Sequence, residues 1–253
     1  MGSTSVQIPT PDGVADAFVA YPHVARSEGD GPWPGVLFYM DAFGLRDVLH
    51  DMAQTIADDG FYVLLPNVFY RSGPAPLFDT SELASEEGRT AVYRRAVPLI
   101  TALTPDVVDR DAAAYLEFLA AQPDVKEGPG GVTGYCMGGR LAVRTAVAFP
   151  ERVAAVASFH AGRLVTDGAD SLHRQITGAR TEYYFAHAEH DPSMTPEHVT
   201  ALNGALEAVG VPFKSEVYEG TQHGFTMSDS DIYDPVSLER HWRNLLELFE
   251  RRL

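Results

Sequence analysis

Short runs of apolar residues recur along the chain and predict buried β-strands. Gly35–Met40 and Phe61–Leu65 are nearly continuous apolar runs of strand length, which are typical of strands covered on both faces. The turn T-P-D-G at residues 10–13 predicts a hairpin between the first two strands. The remaining predicted strands are Val6–Pro9, Ala15–Tyr21, the run that leads to Gly134, Val153–Phe159, Glu182–His187 and Phe213–Tyr218.

Helical periodicity fills the intervals between these strands. In Arg46–Asp59, the apolar residues Val48, Met52 and Ile56 recur at a spacing typical of an amphipathic helix. Because strands alternate with helices, we predict an α/β fold with a mostly parallel central sheet flanked by helices on both faces. We interpret residues 1–253 as a single domain. The other predicted helices are Val107–Ala121, the stretch behind Gly139, Pro196–Val209 and Pro235–Arg251.

Two stretches depart from this alternation. Residues 66–105 contain several prolines and the acidic patch Glu82–Glu87, and they predict only a short helix at about Arg89–Leu103. A connection of this length without a strand is unusual and often carries function. We therefore predict that residues 66–105 form a lid or a substrate-binding segment. Residues 26–34, rich in Gly, Pro and charge, predict an exposed loop.

A glycine-flanked cysteine lies between a predicted strand and a predicted helix. Residues 134–138 have the sequence G-Y-C-M-G, which fits a G-x-nucleophile-x-G turn with Cys136 at its apex. Such a turn needs small neighbours, because strand and helix approach closely around a strained residue. The N-terminus of the next helix favours a thiolate. We interpret Cys136 as a candidate nucleophile; a buried cysteine in another kind of α/β protein is the alternative.

A cysteine nucleophile requires a base, and the base requires a third group that orients it. Asp191 follows one predicted strand and His223 follows the next. In a parallel sheet both would lie at the edge that carries Cys136, and the order nucleophile, acid, histidine is that of the α/β-hydrolase fold. The sequence therefore predicts a Cys136–His223–Asp191 triad. Taken alone, Asp191 would also fit a turn and His223 a surface loop.

The remaining histidines give weaker signals. His187, His190 and Asp191 resemble a cluster of metal ligands, but a strand does not place residues i and i+3 on one face. We therefore do not expect a metal site. His160 closes a predicted strand and is expected at the rim of a pocket, where a hydrogen-bonded structural role is favoured over substrate contact.

The chain is acidic, with 19 Lys and Arg, 35 Asp and Glu, and a formal net charge of -16. This charge disfavours nucleic acid and anionic membranes as partners, because both would be repelled. The single cysteine excludes an intrachain disulfide. The sequence shows no signal-peptide pattern and no apolar run of transmembrane length. We expect a cytoplasmic protein that acts on a small molecule, and the oligomeric state stays open.

The elbow G-Y-C-M-G-G, Asp191 and the segment His223-Gly224-Phe225 resemble the dienelactone hydrolase family of α/β-hydrolases. The resemblance extends from about Val6 to Phe249, and cysteine in this elbow is fairly specific to that family. It implies an α/β-hydrolase fold. It also implies a cofactor-independent hydrolase that cleaves cyclic enol esters and related lactones or esters through an acyl-enzyme.

The resemblance also implies roles for residues outside the triad. The family has a Glu-x-Phe-Gly motif whose carboxylate interacts with the cysteine, and Asp41-Ala42-Phe43-Gly44 matches it with a shorter acid. The backbone N–H groups of Ala42 and Met137 are the implied oxyanion donors. Arg89 and Tyr93 have the family's spacing for binding a substrate carboxylate, although a surface arginine fits Arg89 equally well. The expected pocket walls are Phe43, Phe69, Tyr70, Tyr135, His160 and Phe225.

Two other interpretations are compatible with part of these observations. The same triad would suit a promiscuous esterase, a thioesterase or an organophosphate ester hydrolase, because one oxyanion site can serve several carbonyl or phosphoryl centres. A non-catalytic α/β-hydrolase-like protein that binds a ligand or senses oxidants through Cys136 belongs to another class. The presence of all three triad members favours the enzyme.

Overall fold

The computed structural model of the protein describes residues 2–22, 31–177 and 180–253. In these residues the predicted apolar runs form one eight-stranded sheet, which confirms the predicted fold class. The last two strands extend further than predicted, up to the candidate site residues. The strands are β1 (Ser3–Thr10), β2 (Gly13–Ala20), β3 (Gly35–Tyr39), β4 (Tyr62–Pro66), β5 (Gly130–Tyr135), β6 (Val153–Phe159), β7 (Glu182–His190) and β8 (Phe213–Gln222).

The described residues form six α-helices, and each matches a stretch of predicted helical periodicity. They are α1 (Asp47–Asp58), α2 (Glu86–Ala102), α3 (Pro105–Ala120), α4 (Met137–Ala148), α5 (Pro196–Val209) and α6 (Pro235–Arg252). The apolar stripe of α1 is buried at Leu49, Met52 and Ile56. Among the described helices, none combines the length and the hydropathy needed to cross a membrane.

The order of the strands brings the candidate residues to one edge of the sheet. The order is β1-β2-β4-β3-β5-β6-β7-β8. The hairpin of β1 and β2 is antiparallel and β2 pairs antiparallel with β4, whereas the strands from β4 to β8 run parallel to their neighbours. Parallel neighbours present their carboxyl ends at the same edge. The loops after β3, β5, β6, β7 and β8 therefore meet there.

Successive residues of β3 show that helices cover both faces of the sheet. Phe38 packs against Tyr135 with ring centroids 5.1 Å apart, and Tyr135 in turn contacts His241 of α6. Tyr39 points to the opposite face, because side chains alternate along a strand. Its hydroxyl lies 2.8 Å from that of Thr145 in α4, and its ring contacts Tyr115 in α3.

The stretch between β4 and β5 is more helical than predicted. In the described chain it contains no strand, but α2 spans 17 residues instead of a short helix. The hydroxyl of Ser85 accepts the N–H of Gly88 and caps this helix. Two short 3-10 helices, Tyr70–Ser72 and Thr80–Ala84, precede it. In the other predicted loop, residues 26–30 lie outside the described residues.

Tyr135 belongs to the core, which corrects the expectation that it forms a pocket wall. Its side chain is fully buried and points to the face covered by α6. There its hydroxyl and Nε2 of His241 lie 2.6 Å apart. Burial lowers the pKa of His241 to about 3, so the ring is neutral at physiological pH. The aromatic residue before the nucleophile thus anchors α6 to the sheet.

We expect Tyr135→Phe to lower the free energy of unfolding by about 1–3 kcal/mol, because it leaves the buried Nε2 of His241 without its hydrogen-bond partner. Urea unfolding measures this change. Tyr233→Phe is the matched control, since Tyr233 is only half-buried, and it should change stability by no more than about 0.5 kcal/mol. Equal effects of the two variants would contradict the structural importance of this hydrogen bond.

Candidate active site

Five strand ends contribute side chains to one cavity of about 530 Å³. These strands are parallel neighbours, so residues that are distant in sequence converge at their carboxyl ends. The converging side chains, taken from the ends of β3, β5, β6, β7 and β8, are Asp41, Cys136, His160, Asp191 and His223.

Glycine packing holds Cys136 at the apex of the turn. Its backbone has φ 55° and ψ -119°, a conformation that is strained for a residue with a side chain. A Cβ on Gly134 would lie 2.2 Å from the carbonyl oxygen of Gly138. A Cβ on Gly138 would lie 2.4 Å from the carbonyl oxygens of Tyr39 and Met40. Both glycines are required because β5, α4 and the end of β3 approach too closely for a side chain.

The acid and the histidine are joined directly. Nδ1 of His223 and Oδ2 of Asp191 lie 2.7 Å apart. The other carboxylate oxygen accepts the backbone N–H of Ser193 at 2.8 Å and its hydroxyl at 2.6 Å. The Asp191 side chain is 1% exposed and that of His223 is 30% exposed. Because Asp191 occupies Nδ1, Nε2 is the ring nitrogen that remains for Cys136.

The electrostatics of the site favour the charged forms of His223 and Asp191. Burial opposes a positive charge on His223, but Cys136 and Asp191 raise the pKa of this imidazole well above its usual value. Burial also opposes the negative charge on Asp191, but hydrogen bonds from His223 and Ser193 lower its pKa to about 2. Asp191 is therefore ionised at neutral pH and stabilises the imidazolium form of His223.

Two backbone N–H groups lie where oxyanion donors are expected. Met137 opens α4, and helix geometry leaves its N–H without an intrahelical acceptor. Ala42 lies in the turn after β3, and no acceptor among the described residues takes its N–H. The contact of Gly138 with the end of β3 brings the two turns together. Both N–H groups are thus candidate oxyanion donors.

Asp41 is bound by Arg46, and no hydrogen bond within the described residues joins it to Cys136. Nη1 and Nη2 of Arg46 donate to the two carboxylate oxygens at 2.7 and 2.8 Å. Nε of Arg46 donates to Asp229 at 2.6 Å. Burial opposes the charge on Arg46, but Asp41 and Asp229 raise the pKa of its guanidinium. The expected interaction of Asp41 with the cysteine is therefore corrected, because the carboxylate already has a cationic partner.

We expect Arg46→Met to lower the free energy of unfolding by about 3–5 kcal/mol, because it leaves Asp41 buried without a counter-charge. Arg95→Met is the matched control, since Arg95 pairs with Glu82 at an exposed position and should lose no more than about 1 kcal/mol. Thermal or urea unfolding compares the two. A loss of 1 kcal/mol or less for Arg46→Met would show that the buried pair does not stabilise the fold.

Arg89 and Tyr93 line the cavity from α2. Arg89 forms an ion pair with Asp231, and its Nη1 lies 3.5 Å from the hydroxyl of Ser230. Its charge is thus already balanced, which weakens the expectation that it binds a substrate carboxylate. Tyr93 is 46% exposed, and the expectation that it contacts the substrate is not weakened in this way.

Of the expected aromatic walls, Phe43 and His160 line the cavity. His160 is buried, and its Nε2 lies 2.8 Å from the hydroxyl of Thr226. Its ring meets that of His223 edge-on, with centroids 5.3 Å apart. Burial lowers the pKa of His160 well below its usual value. A neutral, hydrogen-bonded His160 therefore supports the ring of His223.

The other aromatic expectations are corrected by burial. Phe225 is fully buried and stacks on Tyr218, with centroids 5.1 Å apart. Phe69 is buried, and Tyr70 donates its hydroxyl to Asp111 at 3.0 Å. None of Phe69, Tyr70 and Phe225 lines the cavity. All three side chains are instead buried in the core.

The sequence interpretation missed two arginines of the cavity, Arg140 and Arg163. Arg140 lies in the first turn of the helix that begins directly after Cys136, so its place near the elbow could have indicated that it reaches the site. Arg163 lies in the loop after β6, and nothing in the local sequence signals its position.

The described residues contain no group of three or more His, Cys, Asp and Glu side chains arranged to hold a metal ion. In the cluster considered from sequence, Nε2 of His187 lies 3.1 Å from the hydroxyl of Ser215. His190 is exposed. His187 is therefore engaged with a neighbouring strand, whereas His190 is on the surface.

Comparison with known proteins places the chain among similar hydrolases. It is 25% identical over 240 residues to a carboxymethylenebutenolidase of Rhodococcus opacus, which covers 93% of this chain and 87% of that protein. A crystal structure from Klebsiella pneumoniae subsp. pneumoniae MGH 78578, provisionally assigned as a dienelactone hydrolase, has a TM-score of 0.81 at 19% identity and covers 98% of both chains.

A dienelactone hydrolase-like promiscuous phosphotriesterase from metagenomic libraries has a TM-score of 0.76 at 23% identity, covering 100% of this chain and 99% of that one. At these identities the structural likeness shows the fold alone. The model of the dienelactone hydrolase family matches residues 16–253, nearly the whole chain, which confirms the resemblance derived from the elbow. The protein therefore belongs to the dienelactone hydrolase family and has the α/β-hydrolase fold.

Proposed function

We propose that the protein hydrolyses carboxylic esters or lactones through a Cys136–His223–Asp191 triad and an acyl-enzyme intermediate. The observation that carries this proposal is the convergence of the three side chains on one cavity. Within it, Asp191 holds Nδ1 of His223 at 2.7 Å, and the strained backbone of Cys136 presents the thiol at the N-terminus of α4.

In the first half-reaction the thiolate sulfur of Cys136 attacks the carbonyl carbon of the substrate, after His223 has taken the thiol proton. A C–S bond forms and the carbonyl π electrons move to the oxygen. The N–H groups of Ala42 and Met137 then stabilise this oxyanion, and one such donor is typically worth about 10²–10³ in rate. The C–O bond breaks, and the leaving alkoxide takes the proton from Nε2 of His223. In a lactone the new alcohol remains attached to the acyl chain.

In the second half-reaction His223 takes a proton from water, and the water oxygen attacks the thioester carbon. The C–S bond breaks and releases the carboxylic acid. The thiolate of Cys136 and the imidazolium of His223 remain for the next cycle. Asp191 stabilises the imidazolium in both half-reactions without taking its proton.

The cavity suits a small substrate that is partly apolar. Its outer wall is formed by α2, where Val97 and Tyr93 are 41% and 46% exposed. We propose that residues 66–105 act as the cover of the site, because α2 and Leu83 of the short helix before it line the cavity. Exposed apolar side chains beside a catalytic cleft favour contact with a substrate.

We expect Cys136→Ala to reduce kcat for p-nitrophenyl acetate and for a dienelactone by at least about 10⁴-fold, because the triad loses its nucleophile. Cys136→Ser should retain measurable turnover below that of the wild type, since His223 can also activate a hydroxyl. Steady-state kinetics give the rates, and mass spectrometry locates the acyl group on Cys136.

An unchanged rate in Cys136→Ala would contradict the proposal. Turnover of p-nitrophenyl acetate but not of the dienelactone would still support the triad and would indicate an esterase with a different substrate range. A folded wild-type protein that turns over neither substrate and is inert to thiol-acylating reagents would favour the non-catalytic class.

We expect Asp191→Asn to lower the pKa of His223, because it removes the carboxylate that stabilises the imidazolium. In the wild type the raised pKa of His223 keeps the ring protonated as pH rises, and in the variant the proton should leave at lower pH. Titration of the ring by NMR measures the midpoint, and kcat should fall by about 10⁴-fold. Asp47→Asn, an exposed site, is the control. An unchanged midpoint in Asp191→Asn would contradict the coupling.

A further inference from the structure

The cavity contains two pairs of arginines with different surroundings. Arg46 and Arg89 are bound by aspartates. Within the described residues, no ion pair or side-chain hydrogen bond engages the guanidinium of Arg140 or Arg163, although both line the same cavity. The chain has 35 acidic and 19 basic residues, so two neighbouring arginines without an acid are unexpected for a merely structural role.

The two unpaired arginines lie close together and close to the nucleophile. Arg140 lies in the first turn of α4, four residues beyond Cys136, which precedes the helix, and both side chains line the cavity. Burial and the positive charge of Arg163 lower the pKa of Arg140, whereas Cys136 and Tyr93 oppose this shift without cancelling it. Like charges repel, so their proximity costs free energy unless a bound anion offsets it.

The backbone of Arg163 is strained and fixed. Its φ is 60°, which is uncommon for a residue other than glycine. Its N–H donates to the carbonyl oxygen of Ser193 at 3.0 Å, and Ser193 is the residue that orients Asp191. Strained backbone held by its surroundings is concentrated at functional sites. The loop after β6 thus presents Arg163 from a defined position beside the triad.

Arg140 and Arg163 also line a second cavity of about 390 Å³. Both arginines therefore border the cavity of the triad on one side and a further open space on the other. Arg144 of the second cavity is paired with Asp109, and Asp170 also lines it. The positive charges without an ion-pair partner in the described chain, those of Arg140 and Arg163, therefore lie at the boundary between the two cavities.

We propose that Arg140 and Arg163 form a subsite for a dianionic group of the substrate, with the chemistry of a phosphate monoester, located between the two cavities. Two guanidinium groups match the charge and the oxygen arrangement of a phosphate. This inference rests on the proposed function, since it assigns the substrate as an ester or lactone whose acyl part carries such a group. Arg89 is a poorer partner because Asp231 neutralises it.

Three esters of similar length test the subsite: p-nitrophenyl γ-phosphonooxybutyrate, the p-nitrophenyl monoester of adipic acid, and the same adipate with its free carboxylate methylated. Each is assayed with the wild type and with Arg140→Gln, Arg163→Gln and Arg94→Gln. The last variant removes the same charge from α2 at a residue that does not line the cavity. Arg163 is exposed, so Arg163→Gln should fold even if Arg140→Gln does not.

We expect the wild type to prefer the phosphate ester over the methylated ester by roughly 10-fold or more in kcat/KM, as a charged hydrogen-bonded pair allows. Arg140→Gln and Arg163→Gln should each abolish most of this preference and change the methylated ester by less than about 2-fold. Arg94→Gln should leave all three rates unchanged. Equal losses on all three esters would overturn the proposal, because Arg140 would then act on the thiolate. Equal preference for carboxylate and phosphate would overturn the dianion assignment.

A binding measurement separates this inference from the proposed function. Isothermal titration of the wild type with inorganic phosphate should show binding that weakens roughly 10-fold in either arginine variant and not in Arg94→Gln. Hydrolysis of the methylated ester without phosphate binding or phosphate preference would overturn the subsite alone. Phosphate binding that depends on both arginines, without hydrolysis of any ester, would support the subsite and contradict the proposed function.

Discussion

The close approach of β5, α4 and the end of β3 is the constraint on which the site depends. Gly134 and Gly138 leave no room for a Cβ at their contacts, so the turn between them can be tight enough to force Cys136 into a positive φ. The same contact sets the N–H of Met137 beside the turn that contains Ala42. The position of the thiol and the positions of the two candidate oxyanion donors thus depend on the same close packing.

Charge is distributed unevenly between the surface and the cavity. The chain as a whole is acidic, with a formal net charge of -16, but four arginines line the space around the cysteine. Aspartates neutralise Arg46 and Arg89, and the cavity keeps unpaired positive charge at Arg140 and Arg163. The cavity therefore carries cationic side chains without an ion-pair partner among the described residues, although the protein as a whole is acidic.

Arg46 connects parts of the chain that the reaction would use together. It binds Asp41 in the turn that contains the candidate oxyanion donor Ala42, and Asp229 in the segment that follows His223. A buried ion pair of this kind contributes through its geometry more than through net stability, since desolvation offsets much of the attraction. Its position ties the loops after β3 and β8 to each other, and these loops carry the candidate donor Ala42 and the candidate base His223.

Much of the fold follows from the sequence because hydrophobic periodicity is a local property. Runs such as Gly35–Met40 can only be buried on both faces, so they require helices on either side of a parallel sheet. The G-Y-C-M-G turn and the order of Cys136, Asp191 and His223 are equally local, and they indicated the family that the whole chain matches. The triad itself stays a proposal, although the structure brings its members to one cavity.

Tertiary structure alone decided which polar side chains meet and which aromatic side chains face the cavity. Arg46 pairs with Asp41 and with Asp229, a residue 183 positions beyond it, and no local pattern encodes the second pairing. Tyr135 and Phe225 stand next to proposed catalytic residues in sequence, yet alternation along the strands and the bend of the loops turn them into the core. The sequence by itself thus determined the elements, their order and the candidate nucleophile. The partners of each charge and the direction of each ring were set by packing between distant segments, because those contacts depend on three-dimensional proximity.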